Sequence, residues 1–472
     1  MSVWMRRTGR GLPGLTAALL LIATGVASQE LRLEPHQELA REIFRELIEI
    51  NTVESEGTHL AAQAMARRFL DAGFPQEDVH VVGPNDRKLN LVVRLHGRDT
   101  GRAPILLLAH LDVVEALRSD WTVDPWTFTE ADGYYYGRGV KDDKDEAAIY
   151  AANLIRYKQE GFVPDRDIIV ALTADEEGGP ANGVQWLLEN RRELIDAEYA
   201  LNEGGGGFLK DGSRQLNSVQ ASEKVYLNFS LQATNSGGHS SLPRADNAIY
   251  DLANVLMRIS RYHFPVMLNE VTEAYFRGTA EVEGGAIAKD IRAVLEDPTN
   301  QEAVDRLQVF PHLNARLRTT CVATRLSGGH ADNALPQTAG ALVNCRILPN
   351  HNPAQVLLSL REIAGPGVEV TTVGQPTPSA PSPLTANVMG PIERITEEMW
   401  PGVPVVPIMS TGATDGLYLR RAGIPTYGVS GLFGDVDDNR SHGQDERILI
   451  EAFYEGQEFL YRLVKALSGT IS

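Results

Sequence analysis

The chain is poor in cysteine, short of bases relative to acids and, past its first residues, without a long apolar run. Its 472 residues include two cysteines, Cys321 and Cys345. Two isolated thiols cannot supply the paired spacing of a zinc finger. Neither sits where an amino-terminal lipid anchor would need it. In an oxidising compartment the pair could form a disulfide, and as two buried free thiols it would be equally ordinary. The 44 Lys and Arg residues are outnumbered by 62 Asp and Glu, giving a formal charge of -18. A surface of that sign repels a phosphate backbone, so no nucleic-acid partner is expected. No stretch after residue 28 is long and apolar enough for a transmembrane helix.

Residues 1–28 read as a secretory leader. Arg6, Arg7 and Arg10 precede an apolar run from Leu15 to Val26, and the small residues Ala27 and Ser28 follow. The run is too short to span a bilayer comfortably. The expectation is an exported protein, periplasmic or secreted, with no stable membrane anchor once the leader is removed.

What is present is ordinary globular composition, 43% hydrophobic and 22% charged, at a length that suggests two or three domains. From Pro35 to about Leu194, helical stripes such as Leu39, Ile43 and Leu47 alternate with short apolar strands such as Ile168–Leu172. That alternation means an open, mostly parallel α/β sheet. Near Lys224 the pattern changes. In the stretch from Val225 to Leu231 apolar residues alternate with mostly polar ones, as in an antiparallel sheet with one wet face. The reading is an α/β catalytic domain, 29–223 and 376–472, interrupted by an α+β lid or dimerisation domain at 224–375. The Pro- and Ser-rich run 376–383 is the linker back.

The chemistry gathers at strand ends, where open parallel sheets bind ligands. The buried-looking strand Leu106-Leu-Leu-Ala-His110 runs on to Asp112, and alternation would aim both polar side chains at one point. Asp142 and Asp143 follow Gly137-Arg-Gly-Val-Lys141. Glu176 and Glu177 follow Ala171-Leu-Thr-Ala-Asp175. Glu203 precedes four glycines, and His442 lies in Asn439-Arg-Ser-His-Gly-Gln-Asp-Glu446. One such acid could be a helix cap. Several at one sheet edge would repel each other unless protonated or bound to cations. Histidines and carboxylates without cysteine suit zinc, or else manganese or cobalt, and bridging carboxylates make a two-metal site natural.

In combination these motifs resemble the di-zinc metallopeptidases that include glutamate carboxypeptidase, carboxypeptidase S, carnosinase, aminoacylase and succinyl-diaminopimelate desuccinylase. The resemblance covers essentially the whole chain after the leader. It implies that His110 and Glu203 hold one metal, that Glu177 and His442 hold the other, and that Asp142 bridges them. It implies that Asp112 orients His110 through its second ring nitrogen. Glu176 would be the general base, taking a proton from the attacking water and passing it to the leaving amine. A cis peptide is implied at Asp142–Asp143. His239, in Ser236-Gly-Gly-His-Ser-Ser241, would stabilise the oxyanion, in the family often across a homodimer. Asn333 and Arg346 would bind the substrate carbonyl and carboxylate, the guanidinium offering paired donors. Ser410-Thr-Gly-Ala-Thr-Asp415 resembles a substrate-side loop without assigned roles. Asp145 departs from the family's usual glycine and Glu115 from its usual proline. The longer stretch 263–318 resembles the carboxypeptidase S branch.

The expected function is that of an exported, metal-dependent exopeptidase, a carboxypeptidase or dipeptidase cleaving the amide next to a free carboxylate. The alternative with the same site is an N-acyl-amino-acid amidohydrolase. A non-catalytic binding protein would have lost a ligand or the base, and none is lost here.

Overall fold

The structure, a computed structural model, describes residues 32–99 and 101–469. The leader expected at 1–28 lies outside them. Among the described residues, no helix is long and apolar enough to cross a membrane.

The strand Ile105–His110 lies inside a ten-stranded sheet, between Ile168–Thr173 and Tyr199–Asn202, parallel to both. All six of its residues are buried. Alternation explains why: Ile105, Leu107 and Ala109 enter the apolar cluster on one face, and Leu106 and Leu108 enter the cluster on the other. Helices Pro35–Glu49, Lys144–Gln159 and Ile450–Ser468 cover the first face. Gly183–Asn190 and Arg192–Ile195 cover the second. The sheet is mixed at its margins. Asn90–Leu95 pairs antiparallel with Ile168–Thr173; on the other side Thr426–Gly428 pairs parallel with Tyr199–Asn202 and antiparallel with Ser213–Glu223, to which Val405–Ser410 is parallel.

A separate four-stranded antiparallel sheet takes the order Thr320–Gly328, Thr338–Ile347, Val225–Thr234, Val368–Val373. Its inward residues, among them Leu227, Phe229, Leu231 and Val343, pack with helices Ala248–Arg261 and Pro353–Ala364. The alternating pattern of this segment is therefore the signature of a sheet covered on one side. Cys321 and Cys345 face each other in register and are joined by a disulfide.

The stretch between the two halves of this sheet packs elsewhere. Helices Glu270–Glu283, Gly285–Glu296, Gln301–Leu307 and Pro311–Leu317 bury Phe276, Ile291, Leu307 and Leu317 against Val406, Ile408 and Leu216 of the large sheet. Residues 270–317 thus lie on the α/β sheet, although they fall inside the segment expected to form the inserted domain. Their apolar stripes match the strand Val405–Ser410, and the antiparallel sheet already has its own two helices.

Candidate metal centre

The strand Ile105–His110 delivers a buried imidazole at its carboxyl end. His110 Nε2 stands 3.0 Å from Asp142 Oδ1, at the turn leading into helix Lys144–Gln159. The other Asp142 oxygen, Oδ2, is 3.1 Å from His442 Nε2, which is also 2.8 Å from Glu177 Oε1. Asp142 therefore lies between the two imidazoles, the place of a bridging group. The Asp142–Asp143 peptide is cis. Donor atoms of His110, Asp142 and Glu177 fall within 4.8 Å of one another, as do those of His110, Glu176 and Glu203. The five ligands expected from the resemblance, and Glu176 with them, thus fall in two overlapping groups that share His110, with His442 joined to one through Asp142 and Glu177.

Electrostatics make that cluster hostile to carboxylates alone. Burial, and then the neighbouring Glu176, push Glu203 well above the usual carboxylate range. Burial likewise raises Glu176. Hydrogen bonds that its ring N–H donates to Asp142 and Glu177 lift His442 to about 10. So many acids with two imidazoles, and no sulfur, form a donor set that fits divalent cations, which would let the carboxylates ionise together.

Asp112 differs from its expected contact. The strand ends at His110, so alternation does not carry through to Asp112. Its backbone carbonyl, 2.9 Å from Nδ1, holds the imidazole, while its carboxylate is 3.8 Å away. That carboxylate instead accepts from the amides of Glu176, at 3.1 Å, and Glu177, at 3.0 Å. Asp112 thus ties the histidine, held by its carbonyl, to the Glu176–Glu177 loop, held by its acid.

Two cavities flank the donors. One, of about 420 Å³, is lined by Glu176, Glu177, Arg346, Tyr226, Asp415 and Tyr418 among others. Arg346 stacks on the Tyr226 ring at 4.8 Å, directly opposite it in register, and Asn228 donates to the Tyr226 hydroxyl at 2.8 Å. Among the described residues, no hydrogen bond or ion pair occupies the Arg346 guanidinium. The other cavity, of about 500 Å³, is lined by Asp142 and Glu203 with Tyr134, Phe208, Leu432 and Phe433. His239 lies on a two-stranded ribbon, paired with Ala334, and Asn333 immediately precedes that partner strand. They line neither cavity.

Sequence reasoning gave no role to several residues here. Asp415, buried, accepts from Asn182 at 2.5 Å and from Thr173 at 3.3 Å, bracing the loop that carries Glu176. Lys88 pairs with Asp175 at 2.5 Å from the other side. Tyr226 becomes meaningful only through its register opposite Arg346. These are tertiary pairings with no local spacing to announce them.

Residues 106–466 match the model of peptidase family M20/M25/M40. The human N-fatty-acyl-amino acid synthase/hydrolase is 27% identical over 90% of this chain and 87% of its own length. An M20 family metallo-carboxypeptidase from Sulfolobus solfataricus superposes with a TM-score of 0.68 at 17% identity, covering 91% of this chain and 99% of that one. A dinuclear metal-binding M20 peptidase of Bacillus subtilis gives 0.58 at 13% identity, covering 92% and 99%. With the family model spanning most of the chain and a fitting donor set at the sheet edge, this protein is a metal-dependent hydrolase belonging to peptidase family M20/M25/M40.

Proposed function

We propose that the protein is an exported exopeptidase with two metal ions, zinc in first place and manganese or cobalt as substitutes, that hydrolyses the amide next to a free carboxylate. The observation that carries the reading is Arg346, a guanidinium without an ionic partner among the described residues, in the same cavity as Glu176 and Glu177. A planar cation lining the same cavity as the reacting groups suits a terminal carboxylate. His110 and Glu203 would hold one ion, Glu177 and His442 the other, with Asp142 shared. When bound, the ions supply Lewis-acid polarisation of the scissile carbonyl and acidify the attacking water. Glu176 takes the water's proton and returns it to the leaving amine. Its carboxylate stands as near His110 and Glu203 as a ligand would; its assignment as the base rests on the family resemblance.

His239 and Asn333 serve the oxyanion and the substrate carbonyl in this reading. Because they line neither cavity, lid closure or a second copy of the chain must bring them in. The catalytic domain is 29–223 with 376–472, the lid is carried by 224–375, and helices 270–317 anchor that lid segment on the large sheet. A leader at 1–28 directs export.

A second reading has its own support. The cavity beyond Asp142 and Glu203 has an apolar wall of Phe208, Leu432 and Phe433, and the human relative is named for N-fatty-acyl-amino acids. An N-acyl-amino-acid hydrolase would place its acyl chain there. Product release from dipeptides, N-acetyl and N-fatty-acyl amino acids, each with its carboxamide counterpart, decides between them. Cleavage of dipeptides is the expected result, with carboxamides poor substrates and Arg346→Ala raising KM only for the free acids. Cleavage of acylated compounds alone moves the function to the second reading. Equal turnover of acids and carboxamides removes Arg346 from its role.

A further inference from the structure

Glu446 closes the motif His442-Gly-Gln-Asp-Glu446, and the roles above leave it none. It is fully buried. Its carboxylate accepts from the backbone N–H of Lys141 at 2.9 Å, from that of Gly139 at 3.2 Å and from Arg138 Nη1 at 2.6 Å. Its own carbonyl accepts from the N–H of Gly137 at 3.3 Å. Every donor lies in the short stretch that leads into Asp142. Arg138 reaches back in turn, donating through Nη2 to the carbonyl of Gly443, next to His442, at 3.0 Å. Its guanidinium rests over the Trp121 ring at 5.0 Å. Beside Glu446, Asp445 accepts from the N–H and hydroxyl of Thr122, both at 2.8 Å.

The loop so clamped needs holding. His442 has φ +62° and Asp445 has φ +49°, in the left-handed region that residues with side chains rarely enter. The His442 side chain is 52% exposed, so packing does not fix it. Its imidazole nevertheless meets both Asp142 and Glu177.

We propose that Glu446 is a positioning residue: through Arg138 and the amides of Gly139 and Lys141 it ties the loop carrying Asp142 to the loop carrying His442, and so sets the separation of those two metal donors. The inference rests on the reading of Asp142 and His442 as ligands. Stability alone is a weak reason for a buried ion pair, since desolvation offsets much of its attraction. What this one adds is a link between ligand loops whose joined residues, Lys141 and Glu446, are 305 positions apart.

The test is zinc titration of the metal-stripped full chain against a chromophoric chelator, beside denaturant unfolding of the same metal-free protein. In Glu446→Gln the second zinc should bind about 10- to 100-fold more weakly, the usual cost of losing a group that orients a ligand. The first zinc should hold, while the unfolding midpoint of this single variant should fall as Arg138 loses its buried ionic partner. Because that change strands Arg138 in the interior, the double variant Glu446→Leu/Arg138→Met removes both charges and controls for misfolding. A double variant that folds like the parent but loses its second zinc supports the proposal. One that binds both zincs with parental affinity overturns it, and so does one that cannot fold, since Glu446 would then serve the fold itself. His442→Ala runs alongside. If it keeps two zincs at parental affinity, the ligand reading has failed; if it loses one while the Glu446 variants do not, only the positioning role has.

Discussion

Glu176 sits among carboxylates that burial pushes toward protonation, within reach of His110 and Glu203, at the rim of the cavity that also holds Arg346. In the proposed reading Glu176 is the general base, close to the metal centre without being needed to hold it, and Glu177, one residue on, is a ligand. Glu176→Ala should abolish turnover while two equivalents of metal remain bound by elemental analysis. Retained turnover would remove Glu176 from the chemistry, and a lost metal would make it a ligand. Much of this centre was legible in the chain itself, because His110, Asp142, Glu177, Glu203 and His442 each follow a recognisable strand end or motif. The contact of Asp112 was not. It depends on where the strand stops, and the carbonyl rather than the acid meets His110.

At the scale of elements, periodicity revealed what was covered by apolar packing and hid what was not. The Val225–Thr234 strand announces its buried face by alternation. The 11-residue strand Ser213–Glu223 does not, since it buries Asn217, Ser218, Gln220 and Ser222. Polar partners substitute for apolar packing there: Asn217 donates to Thr396 at 3.0 Å and Ser218 to the Gly206 carbonyl at 2.9 Å. The charge-rich 270–317 stretch likewise hid four helices whose apolar stripes match a distant strand. Where that long strand passes into the antiparallel sheet stands Lys224, buried, donating to the Arg318 carbonyl at 2.8 Å and the Thr320 hydroxyl at 3.2 Å. Burial, with Arg316 and Arg346 nearby, lowers its ammonium to about 7 from an ordinary 10.5. Between those values the unfolded chain binds the extra proton, so this group makes stability rise with pH from about 7 to 10.5. Lys224→Met should flatten that rise, read as the denaturant midpoint against pH for both proteins. Parallel curves would contradict it.

For the whole molecule, the sheet edge holds a donor cluster between two cavities, one bearing the Arg346 guanidinium and the other an apolar wall. A substrate laid across the donors would set its carboxylate side toward Arg346 and its acyl side toward Phe208 and Phe433. In the proposed reading that arrangement would join the family's hydrolytic chemistry to selection for a terminal acid. The most direct test is to strip the full chain with a chelator, add zinc back in measured equivalents, and follow amino acid release from a dipeptide or N-acyl amino acid and its carboxamide. No activity is expected without metal, with full recovery by two equivalents and turnover confined largely to the free acid. Activity in the stripped protein, or equal rates on acid and carboxamide, would contradict that reading.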